Sequence, residues 1–127
     1  MDNKATRVLL GSGARVADTA SVQQVDRNYR AVRLYLNVSV VPGAGGLQVV
    51  IRAIDQISGT AVEISDGGLP VQSTGLYLYE MQPTGRAPEP SGNVREVVNR
   101  GLPFAWDVLV KHGDASSYTY SLAAELQ

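Results

Sequence analysis

Two stretches of the chain alternate apolar and polar side chains with a period of two. In residues 31–55 one face collects apolar positions on both sides of a break: Val32, Leu34, Leu36, Val38, Val40, Leu47, Val49, Ile51 and Ala53. Such a period places alternate side chains on opposite faces of a strand. The break at residues 42–46, Pro-Gly-Ala-Gly-Gly, cannot continue a central strand. The pattern predicts a long β-hairpin with one buried face.

The same pattern returns near the end of the chain. Phe104, Trp106, Val108 and Val110 alternate with other residues, and residues 118–126 alternate again after a turn at residues 112–116. We interpret this as a second long hairpin, mirroring the first. Because Trp106 is in register with its apolar neighbours, we expect it to pack in the core.

Shorter segments complete the predicted sheet. Residues 15–25 and 60–64 suit weak or edge strands, and residues 75–81 form a strand that is apolar on both faces. Residues 94–100 fit either a short helix capped by Ser91 or a strand, and their β-branched valines favour the strand. Residues 82–93, rich in proline and glycine, are predicted to form a surface loop. About eight strands without a convincing helix predict an all-β fold, an antiparallel β-sandwich of jelly-roll-like form.

The domain organisation predicted from the 127 residues is simple. Residues 14–127 form a single β-sandwich domain. Residues 1–13 precede it, with a polar start, an apolar group at Val8, Leu9 and Leu10, and a Gly/Ser linker at residues 11–13. This segment is either an arm that orders on a partner or the first strand, and the sequence leaves both open.

Composition narrows the function classes. The formal net charge is −1, with 11 basic and 12 acidic residues, so we expect no direct contact with nucleic acid or an anionic membrane. Cysteine is absent, which removes disulfides and thiolate chemistry. No apolar run reaches the ~20 residues of a membrane span, and the first residues lack the apolar core of a signal peptide. We expect a soluble protein.

Candidate chemistry is sparse. His112 is the one histidine, and its place in a predicted turn suggests a solvated surface residue. A Ser-His-Asp arrangement through it would lack a Gly-x-Ser-x-Gly elbow, and Gly-Ser-Gly at 11–13 lacks the Lys-Ser/Thr of a phosphate loop. Neither Asp55 with Asp66 nor Asp107 with Asp114 has the spacing of a calcium loop, and the sequence gives no separation for the possible catalytic pair Glu80 with Glu96. We therefore predict no enzyme, no cofactor and no metal.

Tyrosines provide the candidate binding residues. Tyr77 and Tyr79 share one face of a predicted strand, and Tyr118 and Tyr120 share another. Tyrosine is common where an apolar surface meets a polar rim, so these pairs are interface candidates. The other interpretation is that they pair across strands within the sheet. The predicted partner-binding residues are these tyrosines and the apolar group of the first segment: Val8, Leu9, Leu10, Tyr77, Tyr79, Tyr118 and Tyr120.

Four segments carry a resemblance to a known family: GGLQVVIR (45–52), YLYEM (77–81), LPFAWDV (102–108) and SYTYSL (117–122). Through them, residues 30–126 resemble the small jelly-roll capsid decoration, or cement, proteins of tailed bacteriophages. The resemblance implies a virion protein on the outer capsid surface, synthesised in the host cytoplasm. It implies that the major capsid protein is the partner, bridged by a homo-oligomer (a dimer or trimer) that stabilises the capsid. No motif-defined binding residues come with the family.

Two expectations about mechanism accompany this resemblance. Many weak, symmetric contacts across a lattice would give avidity. Residues 1–10 would attach either by adding a strand to a neighbour or by lying on its surface. Deleting residues 1–10 is then expected to leave the fold intact and weaken attachment. The alternative functions are a tail or baseplate accessory module and a carbohydrate-binding β-sandwich module. The last requires Trp106, Tyr77 and Tyr79 to be exposed on a sheet face.

Overall fold

The structure is a computed structural model that describes residues 5–83 and 92–127. Within those ranges every regular element is a strand. The strands are β1 (Ala5–Arg15), β2 (Thr19–Ala20), β3 (Gln24–Val25), β4 (Val32–Val40), β5 (Leu47–Ile54), β6 (Ala61–Glu63), β7 (Gly75–Gln82), β8 (Val94–Asn99), β9 (Ala105–His112) and β10 (Tyr118–Leu126).

The strands form two sheets packed face to face. Sheet A has the order β1-β10-β4-β7-β8, and sheet B has the order β2-β9-β5-β6, with β3 also paired to β9. All neighbours are antiparallel except β7 and β8, which are parallel. If β2 and β3 count as one interrupted strand and β8 is set aside, each sheet has four strands and the chain passes repeatedly between them, as in a jelly roll. The predicted all-β sandwich is confirmed.

The two predicted hairpins are wrong. β4 pairs with β10 and β7 in sheet A, whereas β5 pairs with β9 and β6 in sheet B. β9 and β10 likewise lie in opposite sheets. Alternation gives each strand one apolar face, but it does not select the hydrogen-bonding partner. The connections, which we call the first arch (residues 41–46) and the second arch (residues 113–117), are long enough to cross the ~10 Å between stacked sheets.

The two arches lie against each other at one end of the sandwich. The backbone N–H of Gly45 donates to Asp114 Oδ2 at 2.8 Å, and that of Gly113 donates to the Gly46 carbonyl oxygen at 2.9 Å. A Cβ on Gly45 or on Gly113 would overlap the backbone of the opposite arch. Glycine is therefore required at both positions by close approach. The bonds from the N–H groups of Gly45 and Ser116 lower the pKa of Asp114.

Large side chains from both sheets fill the core. The largest fully buried ones are Trp106, Tyr118, Tyr120, Leu34, Leu36, Leu47, Met81, Leu122 and Leu126. Trp106 is 1% exposed, which confirms its predicted core packing. Each aliphatic side chain buried in this way stabilises the fold by about 1.5–3 kcal/mol relative to exposure, so interior packing is the dominant favourable contribution.

Residues 5–15 form a strand along β10. Ala5 lies opposite Leu126, and Leu9 is buried in the core. The predicted linker at residues 11–13 lies inside β1, where the register shifts beside Gly13, so it is not a linker. A truncation of residues 1–10 removes the core side chain of Leu9 and part of a strand. The expectation that the truncated protein keeps its fold is therefore corrected: the truncation is expected to destabilise it.

The shorter predicted strands agree with the structure. β2 and β3 border β9, and β6 is a short edge strand of sheet B. Residues 94–99 form a strand, as the valines favoured, although its parallel pairing with β7 was not predicted. The predicted loop at 82–93 and the cap residue Ser91 fall mainly or wholly outside the described residues.

Candidate functional site

The four candidate tyrosines are not on the surface. Their exposed fractions are 3% or less, and they point into the core from β7 and β10: Tyr77, Tyr79, Tyr118 and Tyr120. The predicted placement at a polar rim is thus corrected. Inward positions of these two strands alternate with outward ones, so the tyrosine rings fill the space between the sheets.

Internal partners engage most of these hydroxyls. The Tyr77 hydroxyl donates to the Ser73 carbonyl oxygen at 2.8 Å, and the Tyr118 hydroxyl donates to Asp114 at 3.1 Å. The Tyr79 hydroxyl has no partner among the described residues, and burial raises its pKa. The hydrogen bonds of these tyrosine hydroxyls are therefore made within the sandwich.

The apolar group of the first segment is divided between the two sides of sheet A. Leu9 belongs to the core at 8% exposed, and Leu10 packs partly buried against it. Val8 points outward and is 75% exposed. The register shift between Val8 and Leu10 accounts for the division, because the extra residue turns two consecutive leucines toward the core. Of the three, Val8 is the surface residue.

His112 ends β9 and is half-buried, not a solvated turn residue as predicted. Its Nε2 atom lies 2.9 Å from the Tyr120 hydroxyl, and its ring meets the Tyr118 ring edge-on at 5.5 Å between centroids. Its Nδ1 atom is buried and has no hydrogen-bond partner in the described chain. The ring therefore contacts tyrosines and does not form a Ser-His-Asp arrangement.

We expect stability to fall as the pH drops from 7.5 to 5.5 because of His112. Burial lowers its pKa below the ordinary 6.5, with Arg15 acting in the same direction and Asp18 and Asp114 opposing. The unfolded chain then binds the proton first, so the contribution of His112 to stability is fully present above pH 6.5 and is lost as the pH falls through the lowered pKa. The measurement is the free energy of unfolding in urea across this range.

The control for this prediction is His112→Asn, which removes the titration. Its stability is expected to vary less with pH over the same range, whatever its absolute level. Aspartates whose pKa is lowered, such as Asp26, lose their contributions at lower pH, below about 5, so they do not obscure the comparison. Parallel pH curves for the two proteins would contradict the assignment to His112.

Carboxylates singled out in the sequence make internal bonds. Asp55 accepts hydrogen bonds from the Ile57 N–H and the Ser58 hydroxyl. These bonds lower the pKa of Asp55, and the bond from Ile57 has the larger effect. Glu96 accepts from the N–H groups of Asp66 and Gly67. In the described ranges no group of three or more His, Asp or Glu side chains is placed to hold a metal ion. These side chains hold turns and loops in place.

The outer face of sheet A carries a continuous row of apolar side chains. Cross-strand pairing joins one residue from each of its five strands: Val8, Ala123, Tyr35, Leu78 and Val94. Neighbouring strands lie about 4.8 Å apart, so this outer row is about 19 Å long. The Val8 side chain is exposed, and the side chains of the other four residues are partly exposed. The row is a surface feature of contiguous apolar area.

The two flanks of the outer row differ in charge. On one flank Arg33 lies between two carboxylates, 3.5 Å from Glu80 and 3.3 Å from Glu125. One guanidinium faces two carboxylates there, so that flank has an excess negative charge. On the other flank lie Ser121, Asn37 and the half-exposed Leu76, which are neutral. The face therefore combines an apolar row with a single acidic border.

The outer face of sheet B is internally balanced. Arg52 donates to both carboxylate oxygens of Asp107 at 2.7 and 2.6 Å, and Lys111 bonds Glu63 at 2.7 Å. Two cations thus meet two anions. Val50 on the same face is fully buried. Unlike the acidic flank of the outer row, these four charges leave no excess on this face.

Part of the outer row was visible in the sequence. Tyr35 falls on the polar face of its strand, and Leu78 falls on one face of a doubly apolar strand. What joins them is register across five strands, brought together from distant parts of the chain. No local pattern encodes that register, so sequence reasoning missed the row.

Comparisons of the chain with protein-family models, with curated proteins and with solved structures each found no match. The jelly-roll topology and the outer face of sheet A are therefore the features that bear on function.

Proposed function

We propose that this protein is a structural virion protein that decorates the capsid of a tailed bacteriophage and stabilises it by bridging major capsid subunits. The observation that supports this best is the outer row, an apolar line across the whole width of a packed two-sheet body. Contiguous exposed apolar area on a folded domain is typical of protein contact surfaces. A domain that acts by contact suits a decorating role.

The fold and the resemblance add support. Jelly rolls occur in viral capsid proteins and in lectins. The four segments that resemble decoration proteins fall largely on β5, β7, β9 and β10, which belong to both sheets of the sandwich. The likeness thus involves strands that build the whole fold and not one peripheral loop.

In the proposed mechanism each copy makes a modest contact, and the lattice multiplies it. Linked or repeated weak contacts give an avidity that exceeds any single affinity. A dimer or trimer would engage several capsid subunits at once. The protein would be made in the host cytoplasm and reside on the outer capsid surface. The net charge of −1 fits a role without direct contact to nucleic acid or membrane.

Copy number in the virus particle tests the proposal. Particles of the phage that encodes the chain are purified by density gradient, and the protein is quantified by mass spectrometry against the major capsid protein. We expect hundreds of copies in a fixed ratio to the capsid subunit. A handful of copies would overturn the capsid role in favour of a tail or baseplate accessory module, and absence from particles would overturn any virion role.

The carbohydrate-binding alternative loses its proposed platform. It required three aromatic side chains on a sheet surface, and Trp106, Tyr77 and Tyr79 are each 3% exposed or less. Sugar stacking needs an accessible ring face. The tail or baseplate alternative keeps its standing, because it uses the same kind of protein contact.

A further inference from the structure

We infer that the outer face of sheet A is the docking surface, and that its partner is a protein surface with an apolar strip bordered on one side by lysine or arginine side chains. This deepens the proposed function and rests on it, since the partner would be the capsid shell. It assigns the face that docks and the chemistry that the shell presents.

The apolar component of the argument is the outer row. Its five members come from five strands and form one line about 19 Å long, with Val8 75% exposed at one end. Beside it, Leu76 is 51% exposed. Removing such area from water is favourable in proportion to its size, and a strip of matching length on the partner would cover it.

The charge component gives the partner its border. The Glu125 and Glu80 carboxylates share one guanidinium at 3.3–3.5 Å, distances that leave both carboxylates acceptor capacity. Their exposed side-chain fractions are 34% and 20%. A basic side chain on the partner would neutralise the excess charge at the rim of the contact. Such rim charges set orientation and the rate of association.

The charge pattern argues against two other arrangements: docking through the outer face of sheet B, and docking of a second copy of the chain. The charges on the outer face of sheet B are paired among themselves, Arg52 with Asp107 and Lys111 with Glu63. A second copy docked face to face would bring a second acidic border and no basic one. It would therefore leave both excess charges uncompensated. The charge pattern favours a different protein as the occupant.

The experiment measures binding of purified protein to capsids assembled without it, using a charge reversal on each face. Glu125→Lys reverses the acidic border of sheet A, and Glu63→Lys makes the same change on the outer side of sheet B. Leu78→Ser removes apolar area from the outer row, and Val62→Ser is its control at an exposed position of β6. Thermal unfolding of every variant verifies the fold, and light scattering of the free protein reports its oligomeric state.

We expect Glu125→Lys and Leu78→Ser each to weaken capsid binding by about tenfold or more, with the two control variants within about threefold of the original protein. Binding of the original protein should also weaken with added salt, and that of Glu125→Lys should be less salt-dependent.

Three results would overturn the inference. If the original protein binds and the sheet A variants bind equally well, the docking face is wrong while the proposed function stands. If the original protein does not bind capsids at all, the proposed function fails, and the inference fails with it. If Glu125→Lys alters the oligomeric state and not capsid binding, the face is an interface between copies.

Discussion

Gly113→Ala is expected to destabilise the protein by about 3 kcal/mol, at the upper end of what overpacking costs. A Cβ at this position would overlap the carbonyl group and Cα of Gly45 in the first arch. Backbone atoms cannot rotate away as a flexible side chain can, so the arches must separate. Their bonds, including Gly113 N–H to the Gly46 carbonyl oxygen at 2.9 Å, would lengthen or break. Urea unfolding measures the change in the free energy of unfolding. In thermal unfolding we expect Tm to fall by about 10 °C.

Gly11→Ala is the matched control for this prediction. A Cβ on Gly11 has no heavy atom within 4 Å, and its backbone does not adopt a positive φ. Its stability should remain within about 0.5 kcal/mol of the original protein. In a β9–β10 hairpin Gly113 would be an exposed turn residue, and alanine would cost little there. Equal stability of the two variants would therefore contradict the packing of the arches.

Arg52→Met is the second substitution for which we expect a large effect, a destabilisation of about 3 kcal/mol. Asp107 is 6% exposed, and Arg52 supplies both of its charge-assisted hydrogen bonds, at 2.7 and 2.6 Å. Without the guanidinium, a carboxylate stays buried with no opposite charge beside it. Removing one member of a buried ion pair typically costs 3–5 kcal/mol, and the partial exposure of Arg52 places this pair at the lower end.

The double variant Arg52→Met with Asp107→Leu distinguishes the loss of the ion pair from the cost of leaving the Asp107 carboxylate buried without a partner. With both charges replaced by apolar groups, most of the lost stability is expected to return. Lys111→Met provides a surface reference, because the Lys111–Glu63 pair is exposed and worth at most about 1 kcal/mol. If Arg52→Met lowers the free energy of unfolding by no more than Lys111→Met does, the Arg52–Asp107 pair stabilises the fold no more than an exposed ion pair.

The strand segments could be predicted from the sequence because period-two alternation is local. The alternate apolar side chains that the pattern places on one face are buried, in β4 Val32, Leu34, Leu36 and Val38, and in β5 Leu47, Val49 and Ile51. Their pairing was mispredicted, because a Pro-Gly-rich connection permits either a hairpin or a passage to the other sheet. Which one forms depends on β9 and β10, more than 50 residues away in the chain.

The candidate site shows the same division between local and distant information. Tyr118 and Tyr120 were seen to share a face, but whether that face was inner or outer depended on the opposing sheet. The outer row depends on the register of two strand pairs. β1 and β10 are separated by many residues, and β7 and β8 pair in parallel. The sequence predicts His112 in a turn, whereas its pairing with Leu47 places it at the end of β9, where its ring contacts Tyr120. Contacts of this kind follow from the complete fold.

The pairing of Ala5 with Leu126 has a mechanical consequence. A force that pulls these two residues apart acts on the end of the β1–β10 ladder, so its hydrogen bonds break one after another, as in a zipper. Sequential peeling requires less force than sliding one strand along another, which strains all the bonds together. A load that enters through the outer face of sheet A is shared by all five strands instead. The sandwich thus resists tension between Ala5 and Leu126 less well than a force that slides β1 along β10.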